Sequence, residues 1–362
     1  MYRPTYLTVN TDAVLNNVSK LALKSGKEMI AVIKANAYGV GDIEAAHILK
    51  KVGIKFFAVS SLDEALHLRK HGINEELLIL GYVDEKDLPI IKDNDLTILT
   101  VNKNSFEHTA DLSGIKIHLK IDTGMRRIGL KPEEAKEVLS SLLLRHAEVN
   151  GIMTHYAKSD ELDEFFTKIQ YERFKNCVLS LNYPFKYIHA SNTDASLNFD
   201  DDISTHARSG LGLWGYSSID NYLLPSLSLK TKVINCKKVL KDEAISYGGH
   251  YISDGEGYII TLPIGYADGL LRRYTNNDVY IAGERAKIVG SICMDQMMIH
   301  TLKPYQENEE VEIFGEHISL NEVAKANNTI TYEILTSISD RVTRIYLENN
   351  QIYKEETPRF MN

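Results

Sequence analysis

A lysine closes an apolar run in the stretch AVIKANAYGVG, residues 31–41. Met29 to Ile33 read as a buried strand, which places Lys34 at a strand's C-terminal end, where a parallel barrel gathers its reactive side chains. Desolvation there favours the neutral amine, and a neutral lysine amine forms Schiff bases with aldehydes. On the local pattern alone, a lysine that simply reaches solvent is an equally good reading. If ANAY turns helically, Tyr38 returns to the face of Lys34 and its hydroxyl can donate to an anion. A second stretch, KIHLKID, alternates: Ile117, Leu119 and Ile121 share one face, while His118, Lys120 and Asp122 share the other, a set that can face into a barrel. A Lys120–Asp122 ion pair is the plain alternative.

The elements that must position these groups alternate up to about residue 230. FFAVS, residues 56–60, reads as a strand, and SLDEALHLRKHG follows as a helix with Ser61 and Glu64 at capping-box spacing and Gly72 at its stop. LLILGY before DEKDLPIIKD, IHLKID before PEEAKEVLSSLLLRH, and GIMTHYA before a helix with Leu162, Phe165, Phe166 and Ile169 at helical spacing repeat the pattern. Parallel strands linked by crossover helices are expected, and four or more such repeats favour an α/β barrel over an open sheet, for which no GxGxxG follows the first strand. Beyond 230 the chain becomes β-rich, with AISYGGHYI, GYIITLPIG, NNDVYIAG, AKIVGSICMDQMMIH and EVEIFG. The expected division is residues 1–230 as the barrel and 231–362 as a mainly β domain.

Composition narrows the function. Forty-nine acidic against forty-one basic residues leave a formal charge of −8 on 362 residues, and no basic block tracks a phosphate backbone, so nucleic acid is not an expected partner. No stretch approaches the roughly 18 apolar residues of a membrane helix, and MYRPTYLTVN lacks the features of a secretory leader, so a cytoplasmic protein without membrane contact is expected. Cys177, Cys236 and Cys293 are scattered without CxxC or a Cys/His cluster, which supports neither a disulfide framework nor a metal site.

AVIKANAYGVG resembles the pyridoxal-phosphate signature of the alanine racemase family. KIDTGMRRIGL (120–130), GIMTHYA (151–157), HASNTDA (189–195), RSGLGLWG (208–215), ISYGGHY (245–251), LPIGYADG (262–269), GSICMDQMMI (290–299) and YEILTSISDRVTRIY (332–346) resemble further blocks of that family, in its order. The resemblance implies an eight-stranded (β/α)8 barrel followed by a β domain, assembled as a homodimer with composite sites, binding pyridoxal 5'-phosphate and interconverting L- and D-alanine for peptidoglycan.

By that resemblance Lys34 holds the cofactor as an internal aldimine and acts as one acid/base group, and Tyr247, from the partner's β domain, is the other. Tyr38, Thr193, Gly210 with Leu211, and Tyr332 resemble the phosphate contacts, with threonine at Thr193 where serine is usual. Arg208 resembles the arginine facing the ring nitrogen, with His155 connected to it. Arg127 resembles the arginine on the cofactor's phenolic oxygen and the substrate carboxylate, Lys120 matches a lysine carbamylated in many members, and Met294 and Asp295 resemble residues that reach across the dimer. Tyr266 and Tyr332 resemble tyrosines at the entrance. Arg126 stands where the family generally has glycine, and a left-handed backbone there strains an arginine. In isolation the plainer readings are a packing tyrosine for Tyr247, a turn residue for Thr193, a salt-bridged Arg208, a core histidine at 155 and a buried β-segment for MDQMM. A serine or broad-specificity racemase is the nearest alternative activity. A barrel-type decarboxylase is expected to need a glycine-rich phosphate loop, which is missing, and a non-catalytic cofactor carrier is expected to lack residues 231–362.

Overall fold

The computed structural model describes residues 2–218 and 222–357. The chain forms two compact units: one of residues up to Asp12, Tyr38–Gly41 and everything from Pro225 on, the other of Ala13–Ala37 and Asp42–Leu224. The first strand, β1 (Tyr6–Asn10), belongs to the β-rich unit, pairing antiparallel with Leu227–Lys232 and parallel with Thr343–Glu348. This corrects the expectation that the barrel starts at residue 1. YLTVN has the alternation of a strand, but both its neighbours lie more than two hundred residues away, beyond any local signal.

The eight expected parallel strands close a barrel in chain order: β2 (Glu28–Val32), β3 (Phe56–Val59), β4 (Glu76–Ile79), β5 (Thr97–Leu99), β6 (Lys116–Lys120), β7 (Glu148–Met153), β8 (Tyr187–His189) and β9 (His206–Ser209). The closing β9–β2 pair sets Arg208 beside Ile30 and Ser209 beside Ala31, so the register of closure brings Arg208 to the strand that ends in Lys34. Ile30, Val32, Phe56, Ala58, Leu78, Leu99, Met153 and Tyr187 form an apolar cluster of this unit. Each large side chain so buried contributes roughly 1.5–3 kcal/mol relative to exposure. The helix Phe165–Leu181 departs from the expected face. It buries Thr167, Gln170, Phe174, Cys177 and Val178, while Leu162 precedes it and Phe165 at its first position is exposed. Its buried stripe lies beside the apolar spacing of the sequence, and Phe166 and Ile169 are only partly buried.

In the β-rich unit ten strands form one sheet, with β1 and Leu227–Lys232 near one side and Gly257–Leu262 paired to Met297–Thr301 toward the other. A separate two-stranded ribbon, Ala244–Ile245 with Tyr251–Ile252, carries Tyr247 in the turn between its strands.

Candidate active site

In the barrel unit, Ile33 N–H donates to the Ala58 carbonyl at 2.9 Å, carrying the β2–β3 ladder up to the residue before Lys34. The chain then turns helically, as the sequence suggested, but with the opposite hand: Ala35, Asn36 and Ala37 lie at φ 53, 53 and 52, and Tyr38 at φ 61. For residues with a Cβ this conformation costs about 1–2 kcal/mol each. Hydrogen bonds hold it. Ala37 N–H closes on the Ile33 carbonyl at 3.0 Å, Asn36 Oδ1 accepts from Asp42 N–H at 2.9 Å, and Glu64 Oε1 accepts from Ala35 N–H at 2.7 Å. Burial and the charge of Arg127 lower the Lys34 amine below its ordinary value, against the opposing charge of Glu64.

Arg208 is buried on β9. Its Nη1 donates to the Nδ1 and carbonyl of His189 at 2.8 and 2.9 Å, and its Nη2 to the carbonyls of Thr154 and Ala190 and to His155 Nδ1 at 2.9, 2.7 and 3.0 Å. The salt-bridge reading of Arg208 is therefore wrong, because its partners are carbonyls and imidazoles. A guanidinium only donates, so both histidines accept at Nδ1 and carry their proton on Nε2. His189 Nε2 then donates to His118 Nδ1 at 2.9 Å. Burial, then Arg208's charge, holds His155 and His189 well below the usual imidazole value, and burial drops Arg208 itself to about 10.

Lys120 lies next in this electropositive interior. Its Nζ donates to the Ile121 carbonyl at 2.9 Å, and burial together with Arg208 pushes its amine down to about 7. Asp122 does not pair with it; Oδ1 accepts from the backbone N–H groups of Gly124 and Arg126, both at 3.0 Å, and so shapes the loop that carries the exposed Arg127. Arg126 takes the left-handed conformation, φ 58, that a glycine would adopt freely. Arg126→Gly is expected to relieve about 1–2 kcal/mol of backbone strain and to add about 0.5–1 kcal/mol of chain entropy to the unfolded state. The urea midpoint is expected to stay level or rise slightly, and a clear fall would show that the arginine side chain itself stabilises the loop.

Thr193 opens the short helix Thr193–Asn198, with Asn192 capping Ala195 N–H at 3.0 Å. Its hydroxyl meets Ser209 Oγ at 3.1 Å and accepts from Gly212 N–H at 3.1 Å. Gly210 and Leu211 begin the turn Leu211–Trp214 beside it. Ser209 and Gly212 are contributors that the sequence reading missed. A Cβ on Gly212 would lie 2.5 Å from Thr193 Cγ2, so main chain and hydroxyls form a close cradle there. Only the run of small residues in RSGLG signalled it.

In the β-rich unit Tyr38 and Tyr332 come together, with ring centroids 5.8 Å apart. Gly39 follows at φ 82, where a Cβ would sit 2.4 Å from the Leu335 carbonyl oxygen, and Arg344 donates twice to the Gly39 carbonyl at 3.0 and 2.7 Å. Tyr247, Tyr266, Arg272, Cys293, Met294 and Asp295 line a cleft of about 480 Å³ in the same unit. Tyr247 is 75% exposed and Met294 52%. Ser246, just before the tyrosine, holds φ 68 and ψ −177, a conformation that costs a non-glycine residue about 1–3 kcal/mol, and its hydroxyl is tied to the Ser291 carbonyl at 2.7 Å. Arg341 fixes Asp295 through a 2.6 Å ion pair, so the turn after Met294 is anchored rather than loose.

Residues 9–218 match the family described as alanine racemase, N-terminal domain, and residues 226–346 match alanine racemase, C-terminal domain. Alanine racemase 1 of Bacillus subtilis is 35% identical over 99% of this chain and 96% of its own, and the alanine racemase of Staphylococcus carnosus is 38% identical over 95% of each. The crystal structure of alanine racemase from Bacillus anthracis with bound L-Ala-P superposes with a TM-score of 0.92 at 35% identity, covering 98% of both chains. A barrel carrying Lys34, Arg208 and the Thr193 cradle, followed by a β-rich unit carrying Tyr247, thus agrees with full-length likeness on both counts, and the chain belongs to the alanine racemase family.

Proposed function

We propose that the protein is a pyridoxal 5'-phosphate-dependent racemase that interconverts L- and D-alanine as a cytoplasmic homodimer, supplying D-alanine for peptidoglycan. The observation that carries this reading is a half-buried lysine with a depressed pKa at a barrel strand end, in the same unit as a buried arginine whose hydrogen bonds go to carbonyls and imidazoles. Among the described residues no helix is long and apolar enough to cross a membrane, and no His, Cys, Asp and Glu cluster could hold a metal ion.

The residues present fit a phosphorylated aldehyde with a ring nitrogen. Lys34 offers an amine to the aldehyde. Thr193 and the backbone N–H groups of Gly210 and Leu211 would hold the phosphate, as would the hydroxyls of Tyr38 and Tyr332. When bound, the cofactor withdraws electrons from the substrate's α-carbon and so acidifies its hydrogen. Arg208 cannot take a proton from a ring nitrogen facing it, because guanidinium has no acceptor. It therefore leaves that nitrogen unprotonated and the electron sink weak, which favours proton return over side reactions.

Racemisation needs acid/base groups on opposite faces. Lys34 Nζ serves one face and the partner subunit's Tyr247 Oη serves the other, with His155 as the connection between that tyrosine and Arg208. Arg127 orients the substrate carboxylate, the partner subunit's Met294 reaches across the dimer toward it, and Tyr266 and Tyr332 narrow the entrance toward a small side chain. Lys120, brought to about 7, is neutral often enough at physiological pH to add carbon dioxide, forming a carbamate and releasing a proton. That exchanges a cation beside Arg127 for an anion that orients it.

Chiral analysis of purified protein incubated with L-alanine, with L-serine and with a carbon dioxide assay in parallel, tests the reading. D-alanine should accumulate toward an equal mixture, with serine slower and no carbon dioxide released. Faster serine turnover would make it a serine racemase, and carbon dioxide release a decarboxylase.

A further inference from the structure

We propose that Glu64 is a positioning residue for Lys34: its carboxylate locks the left-handed turn after the lysine to the end of the neighbouring strand and opposes the positive charge of Arg127. The inference rests on Lys34 being the cofactor's attachment point, as proposed above.

In sequence Glu64 is an ordinary capping-box residue, three positions after Ser61. In such a box the glutamate reaches back to the backbone N–H of the cap residue itself. Half of the box forms, since Ser61 Oγ accepts from Glu64 N–H at 3.3 Å. The carboxylate goes elsewhere. Oε2 accepts from Ser60 N–H at 2.6 Å, and Oε1 from Ala35 N–H at 2.7 Å. Ser60 is the first residue past β3, and Ala35 is the first left-handed residue past Lys34. The parallel ladder ends with Ile33 N–H on the Ala58 carbonyl, and the reversal of φ at Ala35 turns the next N–H away from strand pairing. One ionised carboxylate, an acceptor at both oxygens, takes up the two N–H groups left over where the ladder stops.

The same charge acts on the lysine. Arg127 lowers the Lys34 amine and Glu64 raises it, and Asp42, which also feels Glu64, stands 3.6 Å from His67 Nε2. Removing the Glu64 charge leaves Lys34 facing Arg127 unopposed. The cationic form of any nitrogen at Lys34 is then less stable, so its pKa falls.

The test uses the cofactor-loaded protein and reads cofactor release and the pH at which the bound cofactor's visible absorbance changes. Glu64→Gln can accept only one of the two N–H groups and carries no charge. It is expected to release cofactor about tenfold faster or more, and to move the absorbance midpoint down by up to about one pH unit. Glu64→Asp keeps the charge on a shorter stem, so it should release cofactor faster while leaving the midpoint near wild type. Equal midpoints in wild type and Gln, or a midpoint shifted as far in Asp as in Gln, would overturn the charge assignment, and unchanged release from both variants would overturn the clamp. If Gln does not fold, the Asp variant decides both: release no faster than wild type overturns the clamp, and a midpoint moved down despite the retained carboxylate overturns the charge assignment. A wild-type protein showing no visible cofactor band would instead sink the proposed function, so the two failures are distinguishable.

Discussion

Replacing Lys34 with alanine is expected to abolish racemisation and to leave no covalently attachable cofactor. Borohydride reduction of the wild-type protein, followed by peptide mass spectrometry, should place the cofactor on the peptide containing Lys34, and the same treatment of Lys34→Ala should yield no adduct. The loss in rate combines attachment with one of two acid/base groups, and the acid/base part alone commonly contributes about a hundred- to ten-thousand-fold. Lys120 is the competing lysine, since its amine is lowered further, to about 7. Geometry decides against it: Lys120 Nζ is spent on the Ile121 carbonyl in the barrel interior, whereas Lys34 stands past the strand end, half-buried, at a turn held by three hydrogen bonds. A reduced adduct on Lys120 would transfer the central role to it and leave the left-handed turn without a function.

Much of the barrel was legible because several strands carry a local signal, an apolar run followed by an amphipathic helix, as FFAVS before the Ser61-capped helix Leu62–Lys70 does. The hand of the turn after Lys34 was not. KANAY contains no glycine, and its alanines favour a right-handed helix, so propensity pointed away from the observed conformation. The bonds that override it come from Glu64, far along the chain, and from Asp42 through Asn36. Arg126 shows the converse: resemblance marked a position where glycine is usual, and the backbone there is left-handed, φ 58, with an arginine in place. For Arg208 the local pattern offered only a charge, and resemblance tied it to His155 alone. Its place at the centre of a His155–Arg208–His189–His118 chain depends on β6, β8, β9 and the segment just past β7 contributing one side chain each, which no spacing in the sequence encodes.

Tyr247→Phe is expected to fail asymmetrically. If Lys34 serves one face and the partner subunit's Tyr247 the other, as proposed, the tyrosine takes the α-proton of the L enantiomer and the lysine that of the D enantiomer. Loss of the hydroxyl should abolish exchange of the L-alanine α-proton with deuterated solvent, while D-alanine still gives its α-proton to Lys34 and regains deuterium from the same face. Net racemisation falls in both directions together, as the unchanged equilibrium between enantiomers requires, so turnover alone cannot assign the faces. NMR of each pure enantiomer in deuterated buffer can, and the difference should reach about a hundredfold or more if Tyr247 is an acid/base group. Tyr247 is 75% exposed beside the strained Ser246, whose hydroxyl is tied to the Ser291 carbonyl, so it is not packed in the core of its own unit. Exchange of the L proton with the D proton spared would reverse the roles of Lys34 and Tyr247. Wild-type exchange of both would make Tyr247 a residue of the subunit interface with no part in proton transfer, and the second base would then have to be sought among the other residues of its cleft, Tyr266 first.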